Sequence, residues 1–158
     1  MTDLFKGREA QLEGFRQQMK GLMAEQGLAY GDRAKTFNSR LAQELGCWAD
    51  TKADGEKIHD QLYRAYFVDN LNIGDPEVLL SLVEAAGLDS DEAKQVLAER
   101  TFSDRVDQDW LRAHNYGVTG VPTFVSAGLS VVGCQPYELL TRFANHLKDL
   151  RSNEDTSA

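Results

Sequence analysis

"NYGVTGVPTFVSAGLSVVGCQPYELL", residues 115–140, holds two of the chain's three prolines and its clearest change of period. Before it the hydrophobic spacing is helical; within it, "PTFVSAGLSVVG" alternates as two short strands around a turn at Ala127-Gly128. Pro122 has no N–H to give to a ladder, so it suits the first residue of an edge strand. Pro136, following Gln135 as N-cap, suits the first position of a last helix with Leu139, Leu140, Phe143, Leu147 and Leu150 inward. Phe124, Val125, Val131 and Val132 put apolar groups on both faces of the hairpin. Strands of that kind usually lie inside a larger, covered sheet, and a two-stranded sheet alone is marginal in water. The hairpin therefore predicts partner strands that the rest of the sequence does not visibly supply.

Upstream, every periodic segment reads as a helix. Residues 8–26 carry Leu12, Phe15, Met19, Leu22 and Met23 at spacings of three and four, closed by Gly27. Thr36 or Asn38 caps a second helix bearing Phe37, Leu41, Leu45 and Trp48, which "KADG" breaks at Asp54 and Gly55. A third carries Ile58, Leu62, Ala65 and Tyr66. Asp75 caps a fourth with Pro76 at its first position and Gly87 as its stop. Asp89 or Ser90 opens a fifth, with acids in the turn that the helix dipole favours. Ser103 or Asp104 opens a sixth, with Val106, Trp110 and Ala113 along one side and Gly117 ending it. The polar "SNEDTSA" reads as a disordered tail.

The 158 residues suffice for a real core, and 42% hydrophobic with 27% charged residues is ordinary for a globular protein. No apolar run is long enough to cross a membrane, and "MTDLFKGREA" lacks a secretory signal, so a cytoplasmic location is the expectation. A net charge of −8 argues against nucleic acid or an anionic membrane as partner. Cys47 and Cys134 are too few for a disulfide scaffold and form no C-x-x-C pair. His59, His114 and His146 lack metal-ligand spacing, so no metal is expected.

Several segments in order carry a family likeness. "TFNSRLAQELGCWA" (36–49), "LYRAYFVDNLNIGDPEVLLSLVEAAGLD" (62–89), "GVTGVPTFV" (117–125) and "VVGCQPYELL" (131–140) together make residues 8–148 resemble the DsbA-like thioredoxin family. Within it they are similar to the FrnE-like branch, related to the 2-hydroxychromene-2-carboxylate isomerases. The resemblance implies an α/β, thioredoxin-like fold with an inserted helical domain. Residues 1–114 would be that insertion, 115–151 the C-terminal ββα portion and 152–158 the tail. It also implies that an N-terminal βαβ unit is missing, which leaves a helix-rich chain with one hairpin.

By the same resemblance, the Val121–Pro122 bond is cis, and Val121, Pro122 and Thr123 bind an extended substrate by strand addition. The expected function is thiol–disulfide exchange, with a thiol- or disulfide-containing polypeptide or a small thiol as partner and no cofactor. The family's C-x-x-C pair is absent, so the chain is expected to be N-terminally truncated and inactive alone, with no catalytic residue of its own. The histidine that the resemblance implies is missing, and Gln43 stands near its place. Two alternatives stay open: a non-catalytic peptide-binding or homodimerising module, and a member of the glutathione-dependent isomerase branch.

Among the remaining residues, Cys134 lies before the last helix, where free N–H groups can lower a thiol pKa, and is the residual nucleophile candidate. Cys47, beside Trp48, reads as core filling. "DTKADGEKIHDQ" (50–61) resembles a calcium loop, but Lys52 at position three and Gln61 at position twelve remove ligand charge. Gly31-Asp32-Arg33 lacks the context of a phosphate loop.

Overall fold

The computed structural model describes residues 9–32 and 35–156. The expected helix start at residue 8, the Leu12 side chain, Arg33 and the tail end at 157–158 lie outside the described residues. Among those described are seven helices and one two-stranded antiparallel sheet. The helices are α1 (Glu9–Glu25), α2 (Arg40–Ala49), α3 (Lys57–Phe67), α4 (Pro76–Ala86), α5 (Ser90–Glu99), α6 (Ser103–Asn115) and α7 (Tyr137–Thr156). The strands are β1 (Thr123–Ser126) and β2 (Leu129–Val132).

Two compact units divide at Val106 and Asp107, so the chain passes between them once, inside α6. Val106 is buried and Arg40 of α2 holds the Ser103 carbonyl, which keeps the first turn of α6 in the first unit.

The core of the first unit comes from α2 to α5. Leu45, Trp48 and Ala49 of α2 meet Ile58 and Ala65 of α3, Leu79, Leu82 and Val83 of α4, and Ala93, Val96 and Leu97 of α5. These are the positions that the spacing of three and four selects. The break between α2 and α3 has a steric cause. A Cβ on Gly55 would run into the Ala49 carbonyl oxygen, so only glycine lets the chain pass so close to the end of α2. Helix α2 starts later than a cap at Thr36 or Asn38 would place it: its N-cap is Ser39, which makes no side-chain cap bond, and the Asn38 Oδ1 accepts from the Arg40 N–H at 2.9 Å just outside it.

Helix α4 follows its signals closely. The Asp75 carboxylate accepts from the Glu77 N–H at 3.0 Å, and Pro76 takes the first position. At the other end Gly87 is left-handed, the Gly87 N–H donates to Glu84 and the Leu88 N–H to Val83, which is a Schellman closure. Asp75→Ala is expected to lower stability by about 1 kcal/mol, read from the urea midpoint. A midpoint equal to the wild type's would show that the cap contributes nothing.

Helix α1 leaves much of its amphipathic stripe open. Phe15 is 67% exposed, and Met19 and Leu22 are exposed as well. The turn after it is nonetheless anchored: the Gly31 N–H donates to the Phe67 carbonyl at 2.8 Å, and the Tyr30 ring stacks on Phe67.

In the second unit the hairpin register pairs Thr123 with Val132 and Ser126 with Leu129. Ala127 and Gly128 both have positive φ, 49° and 73°, the two-residue turn that matches strand twist. Phe124, Val125, Leu129 and Val132 are exposed, and only Thr123 and Val131 are half-buried. The expected partner strands are not found among the described residues, where β1 and β2 pair only with each other. Helix α7 continues to Thr156 where the polar sequence reads as a tail. The Ser152 hydroxyl donates back to the Lys148 carbonyl at 3.1 Å, within the helix.

Candidate functional site: the proline loop

The loop that enters β1 is built by turns on either side of it. Gly117, at φ 69°, ends α6, and its N–H closes on the His114 carbonyl at 2.8 Å. The Val121–Pro122 peptide bond is cis. The Thr123 hydroxyl donates to the Gly120 carbonyl at 2.6 Å, which ties the loop to the first residue of the strand. The Pro122 carbonyl accepts from the Gly133 N–H at 2.8 Å, so the loop is also fixed to the exit of β2.

Val121 stands 89% exposed and Pro122 is exposed beside it, while Thr123 is half-buried. Val121, Pro122 and Thr123 thus form one continuous surface at the mouth of an open strand edge. A polypeptide in extended form can add to such an edge through main-chain hydrogen bonds. The surroundings suit that use, because no residue from Asn115 to Tyr137 carries a charge.

Cys134 is exposed and follows the residue that pairs with Pro122. Gln135 does not cap α7 as its position suggests: its side-chain N–H donates to the Val132 carbonyl at 2.8 Å. The Pro136 carbonyl receives the Leu139 and Leu140 N–H groups, and α7 starts one residue later, at Tyr137.

The other candidates lie elsewhere. Cys47 is half-buried in α2, and no disulfide joins it to Cys134. Gln43 donates to the Ser39 hydroxyl at 2.8 Å. His59 meets Asp50 at 2.7 Å on the surface. In the segment that resembles a calcium loop, Asp54 pairs with Lys57 at 3.2 Å. Among the described residues no three His, Cys, Asp or Glu side chains gather as a metal site, and no helix is long and apolar enough to cross a membrane.

Sequence reasoning missed one cluster entirely. Glu44 lies on the apolar side of α2 and is 1% exposed. It accepts two hydrogen bonds from Arg100, each 2.6 Å, and one of 2.6 Å from Arg40. Hydrogen bonding from Arg100 first, and from Arg40 after it, holds the Glu44 carboxyl below the usual glutamate range, against the opposing effect of burial. The Arg40–Glu44 spacing of four was a usable signal. Arg100, 56 positions away, was not.

Comparison with known proteins agrees with this architecture. The model of the DSBA-like thioredoxin domain matches residues 3–145. The crystal structure of a probable DsbA oxidoreductase from Streptomyces coelicolor superposes with a TM-score of 0.82 at 30% identity, covering 94% of this chain and 65% of that one. The structure of a 2-hydroxychromene-2-carboxylate isomerase superposes with a TM-score of 0.72 at 19% identity, over 95% of this chain and 72% of that one, a likeness of fold. An uncharacterized Bacillus subtilis protein, YwbO, is 32% identical over 80 residues, which are 50% of this chain and 40% of YwbO. The chain thus spans less than two thirds of the Streptomyces protein and of YwbO. With its helices, its hairpin and nearly its whole length matched, the chain belongs to the DSBA-like thioredoxin domain family.

Proposed function

We propose that this chain carries the substrate-binding side of a thiol–disulfide oxidoreductase, with Val121, Pro122 and Thr123 holding an extended polypeptide. The observation that carries the reading is the exposed cis-proline loop at an uncharged, open strand edge. A dithiol supplied from outside these 158 residues would do the chemistry. One thiolate attacks the substrate disulfide, a new S–S bond forms as the old one breaks, and the released thiolate takes a proton. The second thiolate then attacks the sulfur of the first, forming the S–S bond of the oxidised dithiol as the mixed disulfide breaks, and the substrate leaves as its second thiolate, which takes a proton. The reverse sequence oxidises the substrate.

Pro122→Ala tests the loop. Restoring an N–H and freeing φ at the strand entrance is expected to weaken binding of an extended cysteine-containing peptide by about tenfold, the worth of one or two backbone hydrogen bonds. Fluorescence anisotropy with a labelled peptide would read it, and equal affinity in the variant would remove the loop from the site.

The absence of charge from 115 to 137, where edge strands usually carry some, favours a second reading: a non-catalytic module whose hairpin pairs with a partner or a second copy. Sedimentation separates the two. A dimer that Val132→Lys dissolves supports this second reading, and a monodisperse monomer removes the second-copy form of it.

A further inference from the structure

We infer that the extended polypeptide docks on the β1 edge of the hairpin, in register with Thr123 and Val125, and that Gln135 determines this choice by closing the β2 edge. The inference rests on the reading above and deepens it. It says which side of the hairpin the substrate takes, and why. All the residues concerned lie in the second unit.

The register fixes which main-chain groups face outward. In an antiparallel pair, opposed residues alternate between those that bond each other and those whose N–H and C=O point away. The two-residue turn at Ala127-Gly128 is closed by Ser126 and Leu129, so these two bond. Two steps on, Phe124 and Val131 bond. Two steps further, the Gly133 N–H donates to the Pro122 carbonyl at 2.8 Å, in the same phase. The residues between them turn the other way. On β1 these are Thr123 and Val125, and on β2 they are Ser130 and Val132. A slip of one residue would exchange the two sets, and the tight turn holds the register against it.

The two edges differ. On β2 the Gln135 side-chain N–H donates to the outward Val132 carbonyl at 2.8 Å, so an acceptor that a docking strand needs is already taken. The left-handed turn at Gly133, φ 87°, brings Gln135 back alongside the strand, and a Cβ on Gly133 would lie 3.6 Å from its amide nitrogen. Strand edges are commonly blunted by a charge, a bulge or a cover. No residue of 115–137 is charged, and a side-chain amide takes that place here. On β1 the Thr123 hydroxyl turns back to the Gly120 carbonyl, and among the described residues no hydrogen bond occupies the outward main-chain groups of Thr123 and Val125. The uncharged run also sets the chemistry of the partner. A charged residue in the docked segment would leave water and meet no opposite charge on the hairpin, so the segment that fits is uncharged around its cysteine.

Amide–water exchange, measured by NMR on the full chain with and without a valine- and threonine-rich peptide carrying one cysteine, tests the assignment. With peptide bound to the wild type, the Thr123 and Val125 amides are expected to exchange about tenfold slower, as a typical hydrogen bond would protect them, while Ser130 and Val132 stay unchanged. Gln135→Met keeps the bulk and removes the donor, so in that variant Ser130 and Val132 should slow as well. The Phe124 and Val131 amides, bonded across the hairpin, report that the variant keeps its fold, and the wild-type comparison stands without it. Slowing at Ser130 and Val132 in the wild type, or at neither edge with the peptide bound, overturns the inference and leaves the substrate reading in place. Slowing confined to β1 in Gln135→Met removes Gln135 as the deciding residue. A peptide that does not bind the wild type at all rejects the substrate reading and the inference with it.

Discussion

Trp48→Ala lowers the stability of the first unit by about 3–5 kcal/mol, the cost of deleting a buried aromatic side chain and leaving part of its volume empty. The indole is 1% exposed and belongs to the one cluster that joins α2, α3, α4 and α5, so no surface segment can fold in to fill the gap. It also carries the Lys52 ammonium at 5.5 Å from the ring centroid, and Lys52 in turn pairs with Glu92 of α5 at 2.6 Å. Removing the ring takes away the apolar bulk and the platform that steers this cross-helix pair. Urea unfolding followed by far-UV circular dichroism would measure the loss. Trp48→Phe, which keeps a ring in the same slot, should recover a large share of it. A loss below about 1 kcal/mol in Trp48→Ala would mean that the four helices do not share one core.

Glu44→Gln is expected to cost about 2–4 kcal/mol at neutral pH. That is somewhat less than breaking a fully buried pair, because Arg100 keeps part of its surface in water. Glutamine retains the shape but leaves two guanidinium groups facing a neutral amide. The pH dependence has a definite sign. The Glu44 carboxyl titrates lower in the folded chain than in the unfolded one. The unfolded state therefore binds the proton first, and the contribution of Glu44 is complete above about pH 4.3 and lost as the pH falls below it. The wild-type and Glu44→Gln stability curves should lie apart at pH 7 and converge toward acid. Curves that stay parallel down to pH 3 would show that the Glu44 charge does not stabilise the fold.

Local chemistry was legible wherever a short stretch settles its own backbone. Asp75 with Pro76, the Gly87 closure and the Ala127-Gly128 turn each act within a few residues, so pattern and propensity suffice. The helical spacing of Leu45 and Trp48, and of Ile58 and Ala65, likewise chose the inward faces before any partner was known. The family likeness rested on the order of several such segments, and the family match reaches the same place.

What tertiary structure alone decided are the relations between distant residues. No spacing could bring Arg100 to Glu44 or turn the Arg40 fork toward Ser103. Alternation along β1 and β2 says which residues share a face, but burial depends on what lies against that face, and Phe124, Val125 and Val132 stay exposed beside a sheet of two strands. Sequence determines the local conformations because turns, caps and periods are local energies. The fate of a buried carboxylate or an open strand edge is fixed by the groups the fold brings to it.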